Sequence, residues 1–144
     1  MNHVKTIILL LATSACAPQI TGSSSQAAVF ESKPEPLINA FTQRCSQPPA
    51  SFIRKSESHI QCRINMSPDE TAAAILSYDG HIDDLPQIVI DLTTTPHENG
   101  VIVRIENYLN VPQRAGPDVH VVVANSRTER MLSRLFTGSG GKPL

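Results

Sequence analysis

The sequence predicts an α+β domain, a two-layer antiparallel sheet with helices packed on one face. Three observations predict it. Helical spacing of apolar residues in three stretches alternates with period-2 stretches. The strand-like stretches come in groups joined by short turns, which favours antiparallel pairing over crossovers. Apolar residues make up 40% of the 144-residue chain while aromatics make up only 4% and tryptophan is absent, so the core must be mostly aliphatic.

The first helix follows Pro34 and Pro36, with Leu37, Phe41 and Cys45 at i, i+4 and i+8 and Ile38 beside them. Cys45 therefore falls on the buried stripe. Ser46 to Ser51 breaks the helix and turns the chain. A hairpin is expected next, Phe52 to Lys55 and His59 to Asn65, joined around Ser56 to Ser58. In its second strand Ile60, Cys62 and Ile64 alternate with Gln61, Arg63 and Asn65, which points Cys62 toward the core. A helix cysteine and a strand cysteine that share one interior can form a disulfide between Cys45 and Cys62. Two buried free thiols are the alternative.

Ser67-Pro68-Asp69-Glu70 is the strongest local signal. It combines a serine N-cap, proline at the first helical position and glutamate three residues after the cap. This helix runs toward Tyr78 and should stop near Gly80, its three alanines allowing close approach to a sheet. Three strands should follow: Gln87 to Thr94, Val101 to Val111 and Asp118 to Ala124. Pro96 to Gly100 reads as the first turn, with Asn-Gly at its centre. In the middle strand Val101, Val103, Ile105, Leu109 and Val111 occupy one face, and Arg104, Glu106, Tyr108 and Asn110 the other. Ile102 interrupts the polar face and implies partial cover there. The last helix begins at Asn125 or Ser126, with a second capping box in Ser126 and Glu129. Its apolar stripe is Met131, Leu132, Leu135 and Phe136, and Gly138 ends it.

The division of the chain follows from composition. Residues 1–15 read as a signal peptide, with Lys5 before an apolar run from Ile7 to Ala12 and small residues after it. The run is too short to cross a bilayer, which takes about 20 apolar residues. Residues 16–36 begin with Cys16 and are rich in Ser, Pro and Gly, the composition of a flexible linker. As a coil, ~19 residues would span roughly 25 Å. Residues 37–138 form the single domain, and 139–144 read as a disordered tail.

Thr13-Ser14-Ala15-Cys16 resembles the lipobox of bacterial lipoproteins, in which the cysteine carries lipid and becomes the mature N-terminus. Ala15 fits the small residue before that cysteine, whereas Thr13 stands where leucine is usual. The resemblance implies lipidation at Cys16, a membrane partner through the anchor, and a place in the cell envelope facing the periplasm at the outer membrane. The alternative is cleavage at Ala15-Cys16-Ala17, releasing a soluble periplasmic protein. With Cys16 lipidated, the odd cysteine count resolves into one pair. The order strand, helix, three strands, helix in the second half resembles helix-grip domains found in some envelope assembly lipoproteins. One fold carries many functions, so no site is transferred.

Motifs of chemistry are sparse. A net charge of −1 and a pI of 6.5 give no global basic excess and no pointer to nucleic acid. The loop from Asp79 to Asp84 gathers three carboxylates and His81 but lacks calcium-hand spacing, so it reads as a polar loop and no metal is expected. His97-Glu98 lies in a turn, and His120 is expected to face solvent. No G-x-S-x-G is present. Gly138-Ser139-Gly140-Gly141 precedes no helix that could receive phosphate. Arg127, Arg130 and Arg134 recur at i, i+3 and i+7, a basic stripe suited to anionic lipid or an acidic partner, with an ordinary solvated face as the alternative. The expectation is a non-catalytic binding or assembly module with an envelope protein partner, no cofactor and no identified small-molecule substrate. A soluble periplasmic small-ligand binder, or a hydrolase with a dispersed site, are the rival classes.

Overall fold

The computed structural model describes residues 24–122 and 126–144. Within them the chain forms β1 (Ser24–Phe30), α1 (Glu35–Cys45), β2 (Ala50–Arg54), β3 (His59–Asn65), α2 (Pro68–Tyr78), β4 (Gln87–His97), β5 (Gly100–Val111), β6 (Val119–Val122), α3 (Ser126–Gly138) and β7 (Lys142–Pro143). These strands join one antiparallel sheet in the order β2-β3-β4-β5-β1-β7, with β6 off this path and paired to β5. The α+β class is thus the observed one. β5 is long enough to hold β4 along one edge and to share the other between β1, opposite Val101 to Asn107, and β6, opposite Tyr108 to Val111.

Strand alternation sorts the side chains onto two faces. On the helix side, Ala28 and Phe30 of β1, Val103 and Ile105 of β5, Leu92 of β4 and Ile60 of β3 meet Leu37 and Ile38 of α1 and Leu132 and Phe136 of α3. Each fully buried large side chain contributes about 1.5–3 kcal/mol of hydrophobic stabilisation. The Phe30 and Phe136 rings meet edge-on, centroids 6.2 Å apart and planes at 74°, the arrangement that aromatic quadrupoles favour. α2 reaches the sheet where Ile75 and Val111 close around Gly80. Cys45 and Cys62 are both buried and are joined in a disulfide, with Cα atoms 5.4 Å apart, clamping the end of α1 to β3.

The start of α2 matches expectation. Ser67 Oγ accepts a hydrogen bond from the Glu70 amide at 3.4 Å, and Glu70 Oε2 accepts from the Ser67 amide at 3.1 Å. Its end differs, because the left-handed residue is Asp79, with φ +53°, and Gly80 follows in a bridge to Gln113. The hairpin after β4 is tighter than expected. Pro96 and His97 remain paired in the ladder, leaving Glu98 and Asn99 as the turn. Gly100 takes φ +135°, and a Cβ there would overlap the Phe30 carbonyl, so no other residue fits without displacing backbone.

Both ends of the domain extend beyond the expected 37–138. The linker reading of residues 16–36 fails over Ser24–Phe30, which pair with Asn107 through Val101 as an interior strand. Polar composition at Ser24 to Gln26 conceals the alternation that buries Ala28 and Phe30. The disordered-tail reading of 139–144 fails as well. β7 pairs Lys142 with Val29 and Pro143 with Ala28, the Gly141 amide donates to the Phe136 carbonyl at 2.8 Å, and the Leu144 amide donates to Ala27 at 2.9 Å. Gly141 permits this course, because a Cβ would stand 2.5 Å from the Phe30 ring. On α3, Leu132 and Phe136 are buried as expected, whereas Met131 and Leu135 are 59% and 42% exposed. Entry into α3 from Asn125, and the expected end of β6 at Val123 and Ala124, lie outside the described residues, as do the signal peptide and Cys16.

Candidate functional site

The sheet face opposite α1 and α3 carries a band of polar side chains on three adjacent strands. β3 supplies His59, Gln61 and Arg63. β4 supplies Asp91, between Val89 and Thr93 on the same face, and β5 supplies Tyr108 and Asn110. Register brings them side by side, since Gln61 pairs with Asp91, Arg63 with Val89 and Val89 with Tyr108.

Asp91 is the centre of the band. Its Oδ1 lies 2.6 Å from His59 Nε2 and accepts from Gln61 Nε2 at 3.0 Å, while Oδ2 accepts from the Tyr108 hydroxyl at 3.0 Å. Only 9% of Asp91 is exposed, and three donors offset the desolvation of its carboxylate. Arg63 extends the band, its Nε donating to Gln61 Oε1 at 2.7 Å and its Nη1 to Gln87 Oε1 at 3.5 Å. Gln87 in turn donates to Asn65 Oδ1 at 2.8 Å. Val89, flanked by Arg63 and Tyr108, is fully buried within the band.

Burial raises the Tyr108 phenol to about 12, reinforced by the charge of Asp91 and by the hydrogen bond to it, with Arg63 opposing. The neutral hydroxyl is therefore held as a donor. His120 is exposed and stacks on the Tyr108 ring at a centroid distance of 4.2 Å, so its solvent-facing position comes with a partner.

The arrangement fixes donors and acceptors in one largely buried network, with Arg63 and His59 only partly buried. Asp91 orients the His59 ring, and a half-exposed imidazole so held is able to exchange hydrogen bonds with a ligand. Among the described residues no hydroxyl or thiol is hydrogen-bonded to that ring. The expected polar loop after α2 folds onto itself, with His81 Nδ1 accepting from the Asp83 amide at 3.2 Å. Among the described residues no group of three or more His, Cys, Asp or Glu side chains is placed to hold a metal ion.

The arginines expected to form a stripe do share one region. Arg127, Arg130 and Arg134 line a hollow of about 310 Å³ together with Met131. It is a different part of the molecule from the Asp91 band. A larger open cleft of about 580 Å³ lies between the start of α1 and the end of α3, bordered by Phe30, Lys33, Leu37 and Leu135. Sequence reasoning passed over the Asp91 band. The available signals were His59, Gln61 and Arg63 at alternate positions of one strand, and a lone carboxylate in the otherwise apolar run of β4.

Comparison with protein-family models, curated proteins and solved structures returns no match, so the functional reading rests on this chain's own residues.

Proposed function

We propose that the chain is a lipid-anchored cell-envelope protein, facing the periplasm at the outer membrane, whose folded domain is a non-catalytic binding and assembly module. The observation that carries this reading is the Cys45–Cys62 disulfide. Disulfides persist in oxidising compartments, which agrees with a signal peptide over residues 1–15. The bond also takes two of the three cysteines and leaves Cys16, at the end of the lipobox-like stretch, as the odd thiol.

The partner surface in this reading is the polar sheet face. Its groups are mutually hydrogen-bonded and hence preorganised, which lowers the entropy lost on binding. Arg63 and His120 stand at its surface, one offering a planar cation and the other a ring face. A protein partner from the envelope is the expected occupant, and neither cofactor nor small-molecule substrate enters the scheme.

Growth in radiolabelled palmitate tests the anchor. The wild-type chain should label and Cys16→Ala should not, and equal labelling of both would sink the reading. Affinity capture from envelope extract tests the partner, with Arg63→Glu as control. A specific partner lost in the variant is expected. Recovery of the same proteins by both chains would remove the sheet face from consideration.

A further inference from the structure

The anchor reading limits how far the domain can stand from the bilayer, and the fold decides which side it turns. β1 begins at Ser24, eight residues after Cys16. Eight residues reach ~28 Å at full extension. A domain of about this size has a radius of gyration of roughly 14 Å. The surface around the start of β1 is therefore kept within a domain's width of the leaflet.

That surface includes α3. Ser25 and Gln26 border one hollow of about 510 Å³ with Glu129 and Ser133, so the N-terminal half of α3 runs beside the point where the chain enters the fold. The outward arc of α3 is a mixture of cations and apolar side chains. At 100° per residue, Arg130, Arg134, Arg127, Met131 and Leu135 follow one another around less than half of the helix circumference. Leu132 and Phe136 face the core on the other side. Met131 is 59% exposed among the arginines, Leu135 is 42% exposed between that arc and the cleft toward α1, and Arg130 and Arg134 form no ion pair with a carboxylate among the described residues.

Resting on the lipid-anchor reading, we infer that the outer face of α3 docks on anionic phospholipid headgroups of the leaflet that holds the anchor. Met131 and Leu135 enter the boundary between headgroups and acyl chains, as apolar residues of interfacial helices do. The arginines lay their aliphatic stems along them and bring guanidinium groups to phosphate oxygens, and the hollow between Arg127, Arg130 and Arg134 is the concave point at which a phosphate would sit. An acidic protein would satisfy the arginines equally. It gives no reason for two exposed apolar residues in the same arc, next to the point at which an anchored chain enters the fold. Docking through α3 would leave the polar sheet face directed elsewhere, free for a partner.

The absence of tryptophan makes the test direct. In the full protein purified from membranes, Met131→Trp provides a single reporter. Reconstituted into vesicles containing phosphatidylglycerol, it should show blue-shifted emission and quenching by brominated acyl chains. Vesicles of phosphatidylcholine alone should give several-fold less quenching. Adding Arg130→Gln or Arg134→Gln should weaken docking about fivefold per arginine, and high salt should do the same. A Leu135→Trp reporter repeats the measurement should the first variant fold poorly. Equal quenching in the two lipids, or none in either, would overturn the proposal, as would quenching in anionic vesicles unchanged by both arginine substitutions. An acidic protein that competes the reporter off anionic vesicles at stoichiometric concentration would also overturn it. The mass of the N-terminal fragment reports the anchor separately. Quenching without bound lipid mass overturns the anchor alone, and lipid mass without quenching overturns the α3 contact alone.

Discussion

Tyr108 and Asp91 show how single residues set the character of the sheet face. A carboxylate that is 9% exposed survives there because His59, Gln61 and Tyr108 turn toward it, and its charge in turn opposes ionisation of the phenol. With the Tyr108 pKa raised to about 12 from an ordinary value of 10, the unfolded chain loses this proton first as pH rises. The associated stability is fully present below pH 10 and is lost as pH climbs through about 12. In a Tyr78→Phe background, absorbance near 295 nm should titrate with a midpoint near 12, and Asp91→Asn should lower that midpoint. A midpoint unmoved by Asp91→Asn would mean that burial alone sets the phenol. Little of this network was legible beforehand. His59 and Asp91 stand 32 positions apart, and only the β3–β4 register makes them neighbours.

At the scale of elements, legibility followed local signal strength. α2 was the plainest, since Ser67, Pro68 and Glu70 satisfy the first turn by themselves. The same self-sufficiency makes it testable. Ser67→Ala should destabilise the fold by about 1 kcal/mol in urea or guanidinium titration, the usual worth of an N-cap side chain. An unchanged midpoint would show that packing of Ala74 and Ile75, and not the cap, holds the helix start. β3 and β5 were visible because one face of each is apolar and period 2 is hard to imitate, and β4 because its run is β-branched and largely apolar. β1 was not, because Ser24-Ser25-Gln26-Ala27-Ala28 has little hydrophobic contrast and owes its extended form to seven pairings with β5. β7 is a still clearer case, two residues defined by the edge they meet. The outward turn of Met131 and Leu135 was hidden for a related reason. Apolar periodicity on α3 gives a stripe wider than the sheet can cover, and the sequence does not say which part remains outside.

For the whole molecule, the disulfide connects stability to compartment. α1 covers one end of the core through Leu37 and Ile38, and its last residue is tied to the centre of β3 across a sequence separation of 17. In the chain-entropy model, closing a loop of that length removes unfolded-state freedom worth roughly 3 kcal/mol. Domains of this size have net stabilities of about 5–15 kcal/mol, so the bond is a large fraction of the margin. Cys45→Ala/Cys62→Ala should therefore lower the denaturant midpoint by an amount equivalent to roughly 3 kcal/mol, and dithiothreitol should bring the wild-type chain to about the same level. The paired variant matters, since a single substitution leaves a free thiol able to react with Cys16. A double variant as stable as the oxidised protein would mean that α1 is held by Leu37, Ile38 and Phe41 alone. The large loss expected instead would make the fold depend on oxidising surroundings, the condition that an exported, envelope-facing domain meets and a reduced cytoplasmic chain does not.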